Sequence, residues 1–120
     1  MNFQEVYERF LLISGLSTEE ASMWSPLCMD AMEQLRSMLK TNVNEEENSR
    51  RLNTAAAALA LYKMSLYSAS EDITSFQAGD ISIDVQQTLR KRAHTVWETA
   101  KAEIAPLTKD ENFFFGRVAL

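Results

Sequence analysis

One histidine, His94, and one cysteine, Cys28, are the side chains of this chain best suited to nucleophilic or proton-transfer chemistry. Their settings argue against it. His94 follows Arg90, Lys91 and Arg92 on the polar side of a predicted helix and reads as a solvated surface histidine. Cys28 falls on an apolar helical stripe, so pairing it with His94 would require a core residue to be exposed. No serine has a nucleophile-elbow setting. A lone cysteine also excludes an intrachain disulfide and any cysteine-cluster metal site.

Carboxylates are plentiful, yet Glu19, Glu20 and Glu45 to Glu47 stand at predicted helix starts, where they complement the positive helix end. Asp80 follows Gly79 as turn chemistry expects, and Asp84 precedes a predicted helix as caps do. There is neither an E-x-x-H spacing nor an EF-hand loop. "FQAGDIS" is neither a dinucleotide fingerprint nor a P-loop. The "RKR" triplet at Arg90 to Arg92 reads as the solvated face of a helix, with contact to a nucleic-acid backbone as the sharper alternative. No catalytic, cofactor-binding or metal residue is therefore assigned, and the chain is read as not an enzyme.

The elements that carry these residues are helical. The chain has 120 residues, 46% hydrophobic and 24% charged, which is the profile of one soluble globular domain spanning 1–120. Only three glycines and two prolines leave few tight turns, which favours helices over a many-stranded sheet. The net charge of -5 argues mildly against general nucleic-acid binding and leaves room only for a local basic patch. The opening "MNFQEVYERF" is not a secretory leader, and the most apolar run, interrupted by Lys63, falls short of a membrane span. Cytoplasmic placement is the expectation.

Asn2, with Glu5 three residues on, has capping-box spacing for a first helix carrying Phe3, Val6, Tyr7, Phe10 and Ile13 and ending at Gly15. Ser17 or Thr18 caps a second start, and Ser25 a third with Pro26 in its first turn. From there Leu27, Cys28, Ala31, Met32, Leu35, Met38 and Leu39 form the clearest amphipathic stripe, extended backward by Trp24. Asn42 or Asn44 then caps a long helix over roughly 46–70, with three glutamates in its first turn. That helix is apolar nearly all round, through Leu52, Ala55 to Ala58, Leu59, Leu61 and Met64, so it belongs inside a bundle. A last helix carries Val85, Leu89, Ala93, Val96, Trp97, Ala100 and Ile104. Met23 and Met29 fall beside the stripes, and the excess apolar surface suggests a subunit that buries it against copies or partners.

Two segments resist helical periodicity. "EDITSFQAGDISID", residues 71–84, carries strand-like Ile73, Phe76, Ile81 and Ile83 around a turn at "AGD", and predicts an irregular or hairpin-like connector. It either closes over its own core or reaches a neighbour as an arm. The tail 106–120 brings Phe113, Phe114 and Phe115 together, then Val118 and Leu120, and reads as extended and docked on its own domain or on a partner. The fold class is all-α, a small bundle of four to five helices.

Four stretches, "SGLSTEEASMWSPLCMDAMEQL", "NSRRLNTAAAALALYKMSLYSA", "SFQAGDISID" and "KDENFFFGRVAL", carry a family pattern. Together they resemble the head–tail connector (head-completion, or adaptor) proteins of tailed phages and prophages. The resemblance implies an all-α virion structural subunit forming a ring, commonly of twelve copies and able to be monomeric when free. That ring docks between the portal and the tail-completion proteins and continues the DNA channel, touching passing DNA without sequence specificity. The protein would then occupy the bacterial host cytoplasm during assembly and later the virion, with no membrane contact. By position, Ile73, Phe76, Asp80, Ile81 and Ile83 would make a protruding loop, and Phe113, Phe114, Phe115, Val118 and Leu120 a docking tail. The alternative is a small soluble regulatory module that binds a partner through its hydrophobic C-terminal tail.

Overall fold

A computed structural model describes residues 1–74 and 80–109, with side chains described for 1–67 and 87–109. Five helices follow in order: α1 (Phe3–Ser14), α2 (Thr18–Met23), α3 (Ser25–Met38), α4 (Ser49–Thr74) and α5 (Asp80–Glu103), then a 3-10 turn, Ala105–Leu107. The all-α expectation holds. Among the described residues there is no strand, only one antiparallel bridge between Leu39 and Thr108.

Local chemistry sets most boundaries. Asn2 is extended, and its Oδ1 accepts the Glu5 amide at 3.1 Å. The Glu5 carboxylate turns to Arg9 at 3.5 Å instead of closing a capping box. Gly15 ends α1 at φ 72, a left-handed conformation that other residues adopt only with strain. Ser17 and Glu20 cap α2 reciprocally, at 3.1 Å and 3.3 Å.

Two expected boundaries shift. Trp24, not Ser25, is the N-cap of α3, and the Ser25 hydroxyl, in the first helical residue, donates back to the Ser22 carbonyl at 3.0 Å. Pro26 is tolerated there because no amide is needed in the first turn. Asn44 accepts the amides of Glu46 and Glu47 at 2.9 Å and 3.2 Å and so closes a turn of its own. The three glutamates occupy that turn, and α4 begins afterwards at Ser49.

The connector expectation is corrected. The helices run into 71–84 from both sides, so Ile73 belongs to α4 and Asp80, Ile81 and Ile83 to the first turns of α5. Asp84 therefore lies inside α5 rather than capping it. A hairpin would need those residues extended; β-branching is a weak preference that helix continuity overrides. Phe76 lies outside the described residues.

The core is built around α4, which packs against α1, α3 and α5. Leu52, Asn53, Ala55 to Leu61, Met64 and Ser65 are buried. Val6 and Phe10 meet it from α1, Cys28, Ala31, Met32 and Leu35 from α3, Ala93, Trp97 and Ala100 from α5, and Ile104 from just after α5. Two polar groups ride in this core. Ser65 donates to the Tyr62 carbonyl at 2.6 Å, and Asn53 Oδ1 accepts the Asn2 amide at 3.1 Å, tying the start of α1 to α4. Arg9 adds a second tie, donating to Thr54 Oγ1 at 3.1 Å.

The beginning of the expected tail is docked on its own domain. Lys40 donates to the Leu107 carbonyl at 2.9 Å and Lys109 to the Met38 carbonyl at 2.8 Å, so the chain after α5 pairs with the end of α3. Residues 110–120, including Phe113, Phe114, Phe115, Val118 and Leu120, lie outside the described residues.

Ala57 and Ala58 are fully buried where α4 meets its neighbours. Ala57→Leu should overpack that contact and lower stability by about 1–3 kcal/mol in urea unfolding. An unchanged midpoint would show that the alanines are not the points of closest approach.

Candidate functional site

The described surface offers one groove whose chemistry is one-sided. Tyr62 of α4 and Gln87, Arg90, Lys91, His94 and Thr95 of α5 line an open groove of about 740 Å³. Every one of these side chains can donate a hydrogen bond, and none is a carboxylate. The elements place them simply. Ala93, Trp97 and Ala100 bury one face of α5 against α4, which leaves positions 90, 91 and 94 exposed to solvent.

His94 is held from two sides. Its ring meets Tyr62 edge-on at 5.7 Å, and its Nε2 lies 3.7 Å from Glu98 Oε2. Glu98 is in turn bonded to Lys101 at 3.0 Å, and Lys101 stands 5.7 Å from the centre of the Trp97 ring. Of the basic triplet, Arg92 is used within the fold, where its guanidinium donates to the Ile13 carbonyl of α1. Arg90 and Lys91 are left facing solvent. Such a groove can recognise oxyanions through charge-assisted hydrogen bonds, with Tyr62 as an aromatic wall.

Cys28 and His94 are not brought together as a reactive pair. Cys28 is 0% exposed in the core, and burial pushes its thiol up to about 11. His94 stands on the outer face of α5, with its side chain 56% exposed. Among the described residues no group of three or more histidines, cysteines or acids could hold a metal ion, and no helix is long and apolar enough to cross a membrane.

The carboxylates read as helix-start residues divide. Glu20 closes its capping box, whereas Glu45 joins a charged cluster at the base of α1. It accepts from the Met1 amino group at 2.6 Å and from Arg36 at 3.3 Å, and Arg36 also donates to the Met1 carbonyl at 3.1 Å. The hydrogen bond from the amino group, followed by attraction to that group and to Arg36, holds the Glu45 carboxyl below its ordinary range despite some desolvation.

Sequence reasoning did not find Asn53 or the role of Tyr62. Asn53 interrupts an apolar run, which was its only signal. Its Nδ2 is buried with no hydrogen-bond partner among the described residues, and buried polar atoms of this kind commonly take an ordered water. Tyr62 reads as a core residue by spacing, and only the placement of α5 makes it the groove wall. Of the expected contact residues, Ile73, Asp80, Ile81 and Ile83 are placed by backbone at the ends of α4 and α5 that flank 75–79.

Two measurements check this electrostatic reading. Because the folded Glu45 pKa is depressed, its stabilisation is present above the unfolded value of about 4.3 and disappears as pH falls through the folded value. Glu45→Gln should then cost less than about 1 kcal/mol at neutral pH, with the gap to wild type closing under acid. A gap that widens as pH falls would reverse the assignment. At pH 8 a disulfide-exchange reagent should label Cys28 at least about a hundredfold more slowly in the folded protein than in urea. Comparison with protein-family models, characterised proteins and solved structures yields no match for the chain.

Proposed function

We propose that the protein is a virion structural subunit of the head–tail connector type, assembling as a ring between a phage portal and the tail and continuing the DNA channel. Its setting would be the bacterial host cytoplasm during assembly and then the virion. The observation that supports this most is apolar surface left outside the core. Leu12, Met23 and Met29 are 81%, 77% and 48% exposed, on helices whose other faces are well packed. Large apolar side chains standing beside a complete core suit a protein whose surface is finished by neighbours.

The sequence resemblance supplies the kind of neighbour, and the helical bundle is compatible with it. In this reading α4 organises each subunit, exposed helical faces pair between copies, and the Phe113 to Phe115 segment reaches the portal or tail. No chemistry is asked of the protein beyond assembly. Partner binding, rather than turnover, is therefore the property to measure.

Size-exclusion chromatography with mass measurement, alone and with a purified phage portal assembly, tests the proposal. The expected result is a ring, or a monomer that joins the portal in several copies. Replacing Phe114 and Phe115 with Ser should abolish joining while leaving the melting temperature within about 2 °C of wild type, the outcome expected of residues that serve a partner rather than the core. A strict monomer that ignores the portal would overturn the proposal.

A further inference from the structure

The chain separates its charges between the two flanks of α4. Residues 1–47 carry nine acids against Arg9, Arg36 and Lys40, whereas residues 80–109 are nearly balanced, with Asp80, Asp84, Glu98 and Glu103 against Arg90, Lys91, Arg92, Lys101 and Lys109, and the bases Arg90 to Arg92 lie together. Several of these charges are satisfied within the fold. Arg9 pairs with Glu5, Arg36 with Glu45 and Lys101 with Glu98, while Arg92 donates to Ile13 and Glu20 belongs to a cap.

What remains free to face outward is complementary. On α2 Glu19 stands one turn before Met23, and on α3 Asp30 and Glu33 lie within one turn of Met29, all five being exposed. On the other flank Arg90, Lys91 and His94 surround Tyr62 in the donor-lined groove. α3 packs on α1 and α4, and α5 packs on α4, so the two outer faces do not compete for the same space.

We infer that these two faces bind each other between copies of this chain, the acid-and-methionine face of α2–α3 seating on the Tyr62–Arg90–Lys91–His94 groove of the next molecule. The inference rests on the ring reading above and names the surfaces through which subunits would meet. Asp30 and Glu33 are three residues apart on one helix, which puts both carboxylates on one face within reach of adjacent cations. The Met29 thioether brings a soft apolar contact suited to the Tyr62 and His94 rings. Aromatic, methionine and arginine side chains are the types enriched at the centre of protein interfaces.

A neighbour's carboxylates suit the groove better than nucleic-acid phosphates do. Only Arg90 and Lys91 are permanently charged there, so few phosphates would be neutralised, and the molecule as a whole is charged -5. The two faces differ from one another, so their pairing is head-to-tail and propagates from copy to copy.

Sedimentation velocity separates the outcomes, using wild type, Arg90→Glu/Lys91→Glu, Asp30→Lys/Glu33→Lys and an equimolar mixture of the two variants. All four positions are exposed, and circular dichroism should report the wild-type fold for each variant. At about 50 mM salt wild type should self-associate, and it should dissociate near 0.5 M, where screening shortens to a few ångström. Each variant alone should associate at least about tenfold more weakly, and the mixture should recover wild-type association. Each variant shifts the charge by four from -5, so both stay net negative and general attraction cannot explain a recovery.

Variants that associate like wild type, or a mixture that fails to recover, would overturn the inference. So would a monomeric wild type whose groove instead retains a labelled oligonucleotide in an Arg90- and Lys91-dependent way. The ring reading is decided separately by the portal. Charge-reversed variants that join portal assemblies as well as wild type would sink the pairing and leave the connector proposal standing. Pairing through these faces without any portal contact would do the reverse.

Discussion

A helix whose middle turns have almost no solvent face is the constraint on which the rest of this molecule depends. From Leu52 to Leu61 every α4 side chain except Thr54 is buried, and Thr54 is only partly exposed. One neighbouring helix can cover only one side of such a cylinder, so α4 must be surrounded, and α1, α3 and α5 do this together. Alanine makes the arrangement feasible. It has no rotamer entropy to lose, and its short side chain lets flanking helices approach toward the near end of the roughly 8–10 Å packing range.

Surrounding α4 fixes the character of everything outside it. Each flanking helix spends its apolar face inward, through Val6 and Phe10, Cys28 and Leu35, or Ala93 and Trp97. What it shows outward is then set by the remaining residues, which are mostly acidic on α2–α3 and basic on α5 from Arg90 to Arg92. The connections are economical. Arg9 to Thr54, Asn2 to Asn53 and Arg92 to Ile13 are side-chain bonds that hold α1 against α4 and α5. The Leu39–Thr108 bridge holds the chain after α5 against the end of α3.

Much of this was legible in the sequence because period and burial are directly linked in a helix. The stripes of α1, α3 and α5, the buried status of α4 and the off-stripe positions of Met23 and Met29 all follow from counting residues per turn. Caps were legible where a side chain and an amide were three residues apart, as at Asn2 and Ser17. The errors fell where two local rules competed. Asn44 held a separate turn instead of opening α4, and Ile73, Ile81 and Ile83 remained helical where β-branching suggested strands. The groove was only half legible. Arg90, Lys91 and His94 share one helix, but Tyr62 comes from another, and no spacing within α5 announces it.

The bundle also bears on how such a subunit would assemble. Both candidate faces stand on helices rather than loops, and α3 and α5 are each seated on α4 while α2 packs on α1 and α3, so the angle between the faces is fixed by core packing. For head-to-tail pairing, that angle decides whether successive copies close into a ring or continue as a filament. In such an assembly the residues at the contact would govern how tightly two copies hold one another. The alanines of α4, through the distance and crossing they allow α3 and α5, would govern how many copies complete a turn. Residues remote from every interface would thereby set the symmetry of the assembly, because a rigid core converts small changes in helix placement into changes of angle at the surface.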